Sequence, residues 1–169
     1  IDGKKDQERA LALYMAAAEQ GHVSSQIRLG AFFENSSSSS KNLRKAFEWY
    51  SQAAHQGNSS AQFKVGTFFK SGKGIPKNYS SAARFFKSAA LQGDARAQES
   101  LAHLYEQGNG VFKNLELAYM WYSLGARNGN KIANEKMDEL AVNLPQKIIV
   151  SAQVMADTCF VTNYQNCGY

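Results

Sequence analysis

The chain has 169 residues, 44% of them hydrophobic and 20% charged, with a formal net charge of +5. These proportions exclude wholesale disorder, and no apolar run approaches the roughly 18 residues that a bilayer-spanning helix requires. Two prolines, abundant Ala, Leu, Phe and Tyr, and no alternating runs bounded by turn clusters point to an all-α fold, while the modest basic excess fits simple solubility better than an anionic partner.

The dominant signal is an internal repeat. Gly21, Gly57, Gly93 and Gly129 recur every 36 residues, in phase with Ala10, Ala46, Ala82 and Ala118. Leu13, Trp49, Phe85 and Trp121 form a third column, and Tyr14, Tyr50, Phe86 and Tyr122 a fourth. Lys5-Asp6 aligns with Lys41-Asn42, Lys77-Asn78 and Lys113-Asn114, which predicts that the chain begins inside an inter-helix loop of a longer repeat protein. Residues 1–22 are then a partial repeat, and 24–58, 60–94 and 96–130 are complete ones.

Within each unit a first helix carries Gln26, Leu29, Gly30 and Phe33, then Gln62, Val65, Gly66 and Phe69, then Gln98, Leu101, Ala102 and Tyr105. Its small residues allow close approach of a neighbouring helix. A second helix carries Ala46, Trp49, Tyr50, Ala53 and Ala54 on one stripe, so Trp49, Phe85 and Trp121 are predicted as core. Gly57 and its counterparts supply the left-handed residue beyond that helix. Gly72-Lys73-Gly74-Ile75 and Gly108-Asn109-Gly110-Val111 turn the chain between helices, with Asn78 and Asn114 as caps. Ser36 to Ser40 replace this loop in the first complete unit and predict a mobile segment. After Gly129, residues 132–142 read as another first helix, and Pro145 opens a closing helix carrying Ile148, Ile149, Ala152, Met155, Ala156 and Cys159, so that 131–169 form a partial repeat and a cap.

The Gly-x-Gly-hydrophobic loop, together with the aromatic pair before Ala-Ala and Gly, resembles the Sel1-like repeat family, relatives of tetratricopeptide repeats. The clearest instance is Ala61, Val65-Gly66, Phe69, Gly72-x-Gly74-Ile75, Asn78, Ala82, Phe85-Phe86, Ala89-Ala90 and Gly93, and the likeness extends over roughly residues 5–142. It implies a right-handed α/α superhelix with a C-terminal capping helix, working as a non-enzymatic scaffold that holds a protein or peptide. The resemblance also implies a bacterial, exported setting in envelope processes or host interaction, with an adaptor of eukaryotic protein quality control as the alternative. Asn35-Ser36-Ser37 and Asn58-Ser59-Ser60 would be glycosylation acceptors in that second setting.

In such repeats the face of the first helices turned away from the hairpin partner lines the concave groove. On a helical wheel this face holds Ser24, Ile27, Ala31 and Glu34, and the 36-residue step carries it to Ser60, Phe63, Thr67 and Lys70. The same step then reaches Arg96, Glu99, His103 and Glu106, followed by Ile132, Glu135 and Glu139. Five carboxylates against two cations predict an acidic groove suited to a basic or mixed peptide and unfavourable for nucleic acid. Phe63 is its aromatic anchor candidate. A solvated helix face explains the carboxylates equally well.

Other chemistry finds little support. Gly72-Lys73-Gly74 lacks the spacing of a phosphate loop, and His22, His55 and His103 fall in different repeat phases, so neither a cofactor nor a metal is expected. Ser38-Ser39-Ser40-Lys41 matches Ser-x-x-Lys without the companion motifs of β-lactamases. Cysteine-rich relatives have been linked to β-lactams, but this chain lacks their cysteine pair in every repeat. Lys5, Lys41, Lys77 and Lys113 form a ladder without the interleaved exposed aromatics of nucleic-acid binders. Cys159 and Cys167 are either a disulfide that ties down the terminus, favouring a periplasmic or secreted location, or a buried and a free thiol. The oligomeric state is not encoded in any of these features.

Overall fold

The structure is a computed structural model describing residues 2–36 and 39–167, with side chains from residue 9 onward. Among the described residues every regular element is an α-helix: α1 (Asp2–Glu19), α2 (Val23–Ser36), α3 (Ser40–His55), α4 (Ser59–Ser71), α5 (Tyr79–Ala90), α6 (Ala95–Gln107), α7 (Leu115–Arg127), α8 (Lys131–Ala141) and α9 (Gln146–Val161). They fall into two compact units, Ile1–Lys77 and Asn78–Tyr169.

In the first unit α2 packs against α1 and α3, and α4 against α3. The core follows the stripe anticipated from periodicity in burying Leu29, Ala46, Tyr50, Ala53 and Val65, but Phe68 is buried where Phe69 was expected, and Phe69 is half-buried. Gly30 lies beside the Tyr50 ring, where an added Cβ would stand 2.7 Å from it. In the second unit α6 packs against α5 and α7, while α8 and α9 pack against α7. Ala82, Phe86, Leu101, Leu104, Trp121, Tyr122 and Ala152 are buried there.

Local chemistry sets the helix ends. The side chains of Asn58, Asp94 and Asn130 cap the first helices of three successive repeats, accepting from Ala61 N, Ala97 N and Ala133 N. Asn78 and Asn114 cap α5 and α7 as expected. The first complete repeat differs: Ser39 caps α3, and Asn42 lies inside the first turn. No Gly-x-Gly turn stops the helix at Asn42, so it winds further back toward its N-terminus. Likewise α1 is helical from Asp2, so Lys5-Asp6 are not in a loop as their alignment suggests.

The Gly-x-Gly loops have a packing reason beyond the turn itself. Gly110 has φ of 71°, and a Cβ on it would meet the Tyr79 carbonyl carbon at 2.3 Å and Ser80 N at 2.5 Å. Gly74 stands in the same relation to Leu43 and Arg44. The loop of one repeat therefore rests on the backbone where the second helix of the preceding repeat begins, a contact that only glycine permits.

A second inter-repeat link is polar. Gln26, Gln62 and Gln98 are buried, and each Nε2 donates to the carbonyl of Ala18, Ala54 or Ala90 eight residues earlier, at 3.1, 3.3 and 3.1 Å. Each amide thereby gives a further donor to a carbonyl at the C-terminus of the previous helix, which also accepts from the N–H of Gly21, Gly57 or Gly93.

The C-terminal segment closes the second unit. Pro145 precedes α9, whose Ala152, Ala156 and Cys159 are buried. Asn163 and Tyr164 adopt positive φ, turning the tail back. Cys159 and Cys167 are joined by a disulfide, and Tyr164 Oη accepts from Asn128 Nδ2 at 2.6 Å with its ring 3.4 Å from the Cβ position of Gly93. Arg127 pairs with Asp157 and lies over the Phe160 ring.

Candidate functional site

The aromatic pairs do not behave alike. Tyr50, Phe86 and Tyr122, second in each pair, are wholly buried, whereas of the first positions only Trp121 is; Trp49 and Phe85 are half-buried. The stripe is centred nearer the second residue than the periodicity alone indicates.

That centring gives two predicted groove carboxylates a structural task. Glu34 Oε2 accepts from Tyr50 Oη and from Lys64 Nζ, both at 2.9 Å. Glu106 Oε2 accepts from Tyr122 Oη at 2.8 Å. Burial, reinforced by the bonded carboxylate, drives both phenol pKa values far above the usual tyrosine value. The sequence carries a trace of this pairing: where the buried ring is Phe86, position 70 holds Lys instead of Glu.

In the first unit Glu34 and Thr67 line one cleft of about 400 Å³ with Leu43, Phe68, Ser71 and Lys73. Thr67 Oγ1 donates to Phe63 O within α4, and Phe63 and Lys70 are half-buried. In the second unit Arg96 folds back on the Asp94 cap, with Nη2 to Oδ2 at 2.7 Å, and this bond raises its pKa. His103 Nδ1 lies 3.8 Å from Glu106 Oε2, and Ser100 Oγ donates to Glu99.

Carboxylates of α6 and α8 converge in this unit. Glu106, Glu99 and Glu139 all act electrostatically on the Tyr122 phenol. Lys136 is raised chiefly by its hydrogen bond to Glu139, at 2.6 Å, with further contributions from Glu106 and Glu135. Glu106 and Glu139 thus act on both groups, with Glu99 acting on Tyr122 and Glu135 on Lys136. Glu135 and Glu139 are exposed, and Glu99 and Glu106 are half-buried.

Other sequence candidates are placed as follows. Lys41, Lys77 and Lys113 are exposed, while the Lys5 side chain lies outside the described residues. Ser37 and Ser38 also lie outside them, and with them most of the expected mobile serine loop and the Ser-x-x-Lys serine; Ser36 ends α2 and Ser39 caps α3. Asn58 uses its side-chain oxygen as a helix cap. Among the described residues no three His, Cys, Asp or Glu side chains gather in a metal-binding group, and no helix is long and apolar enough to cross a membrane.

Successive helical hairpins that recur every 36 residues define a tetratricopeptide-like helical-repeat protein. The Sel1 repeat pattern matches residues 1–22, 23–58, 59–94 and 95–130, and the chain belongs to the Sel1 repeat family. It is similar to the crystal structure of a protective antigen present in uropathogenic Escherichia coli strains and displaying an SLR fold, with a TM-score of 0.86 and 30% identity over 93% of this chain. The chain spans only 33% of that antigen. A Sel1 repeat protein from Oxalobacter formigenes matches with a TM-score of 0.69 and 31% identity over 78% of this chain and 98% of its own. No curated protein matches.

Proposed function

We propose that the chain is a non-enzymatic scaffold that holds a protein or peptide along the outward face of its first helices, with a preference for basic segments. The supporting observation is that Glu99, Glu106 and Glu139 act together on Tyr122, and Glu139, Glu106 and Glu135 on Lys136, which places four carboxylates of α6 and α8 around these two groups. Like charges held by a rigid scaffold favour a complementary ligand and repel phosphate backbones. The Cys159–Cys167 disulfide and the bacterial antigen relative support work in an oxidising, extracytoplasmic compartment.

The test is capture of partners from the native source by the immobilised chain and by a Glu99→Lys/Glu135→Lys/Glu139→Lys variant, which spares the Tyr122 acceptor. Captured proteins should be lost from the variant, and lost from the parent as salt is raised, with helicity unchanged. Equal capture by both would remove the acidic face from the site. Phe63→Ala combined with Glu99→Lys tests the aromatic anchor in the same way.

A further inference from the structure

In the first unit cations gather where a loop meets a helix. Lys41, Arg44 and Lys45 stand at i, i+3 and i+4 on one face of α3, and all three are exposed. They line a cleft of about 420 Å³ with Ser40 and one acid, Glu48. Like charges so spaced repel one another, and among the described residues no carboxylate forms a salt bridge with any of the three. The loop after α4 adds to them. The Cβ position of Gly74 lies 3.0 Å from Arg44 N, which sets the loop carrying Lys73 against α3, and that of Gly72 lies 3.1 Å from Lys77 Cβ. Between these two exposed lysines the loop presents Ile75, half-buried, and Pro76, exposed.

The equivalent loop of the second unit has the same order of residue types. Val111 is half-buried, Phe112 is 96% exposed, and Lys113 is exposed. The loop is held in place on both sides of that ring. Gly110 rests on the Tyr79 backbone, Ser80 Oγ donates to Gly110 O at 3.2 Å, and Asn114 N donates to Tyr105 O at 2.9 Å. A phenylalanine kept in water by a fixed loop forgoes the whole free energy of burying its ring, and no contact within the unit offsets the loss.

We propose that these inter-helix loops attach the chain to the surface of an anionic lipid bilayer. Each loop acts by itself: its apolar tip, Pro76 or Phe112, enters the interfacial layer, and the lysine beside it stays at the level of the headgroups. Lys41, Arg44 and Lys73 face lipid phosphates in the first unit, so charge makes the attachment selective for a negatively charged surface. A single-stranded nucleic acid fits less well, since it needs a groove that tracks its backbone and a series of aromatic faces for its bases. The attachment is peripheral, because no described helix is long and apolar enough to cross a membrane. It uses α3 and the loops rather than the carboxylates of α6 and α8, and so stands apart from the proposed peptide binding.

The test is co-sedimentation of the whole chain with vesicles of phosphatidylcholine alone and of phosphatidylcholine mixed with phosphatidylglycerol. The chain should bind the mixed vesicles and not the neutral ones, and should be released as salt is raised. A Lys41→Gln/Arg44→Gln/Lys73→Gln chain should bind roughly tenfold more weakly. Phe112→Ser should weaken binding about threefold or more while leaving its salt dependence unchanged. Circular dichroism checks the folding of each variant, and if the triple variant unfolds, Lys73→Gln alone takes its place. No binding to either vesicle, equal binding to both, or parent-level binding by either variant would overturn the proposal. A single-stranded oligonucleotide is offered in parallel; its capture by a chain that ignores the vesicles would assign the cations to nucleic acid and sink the lipid reading.

Discussion

Replacing Tyr122 by Phe isolates the worth of the buried phenol. The ring is wholly buried and its packing is kept, so no cavity opens and the change reduces to one hydrogen bond, 2.8 Å long, donated to Glu106. A hydrogen bond to a charged group contributes about 1.5–3 kcal/mol. The Glu106 side chain is 26% exposed, so its carboxylate regains some water when the phenol is lost, and the expectation falls at the lower end, about 1.5 kcal/mol. In a chain of this size that corresponds to a fall in melting temperature of roughly 3–6 °C. Urea unfolding of the parent, Tyr122→Phe, Glu106→Gln and the double variant forms a thermodynamic cycle. The two single changes should be strongly non-additive, and Tyr122→Phe with Glu106→Lys, which reproduces the Phe86 and Lys70 pairing of types, should be better tolerated than Glu106→Lys alone. Additive losses, or a Tyr122→Phe effect under about 0.3 kcal/mol, would refute the account of Glu106 as a structural acceptor.

Two further predictions concern stability. Because the folded state raises the pKa of Tyr50 and Tyr122, it keeps their protons above about pH 10 while the unfolded chain loses them, so their stabilisation is complete below that pH and declines as pH rises further. Each contributes a slope of up to about 1.4 kcal/mol per pH unit, and denaturant midpoints measured from pH 9 to 11.5 should fall less steeply in a Tyr50→Phe/Tyr122→Phe chain. Gly110→Ala should cost well over 2 kcal/mol, since positive φ strain is joined by a clash with the Tyr79–Ser80 backbone, whereas Gly129→Ala, with open space around it, should cost only about 1–2 kcal/mol by thermal unfolding.

The 36-residue phase made the helix pairs, the glycine turns and the Asn78 and Asn114 caps legible in the sequence, because each depends on local backbone chemistry repeated in step, and Pro145 with the apolar stripe after it marked the closing helix. The depth of each column was less legible. Periodicity marks which side of a helix is apolar but not how far a neighbour covers it, so Trp49 and Phe85 read as deeply buried though they are half-buried. The beginnings of α1 and α3 were misplaced because a helix without a glycine stop winds back to whatever cap is available. In the candidate site, the wheel selected Glu34 and Glu106 as outward-facing but not their bonds to tyrosines sixteen residues on. That link shows in sequence only as a joint change of type at two columns.

The three buried glutamines carry a consequence for how the chain comes apart. Each ties its own repeat to a carbonyl in the helix before it, so separating two neighbours breaks a buried side-chain hydrogen bond together with the apolar contact around it. Peeling off a single hairpin is thereby penalised beyond the loss of apolar contact. Linked repeats should therefore open as blocks, presenting a proteolytic enzyme with few partially unravelled intermediates.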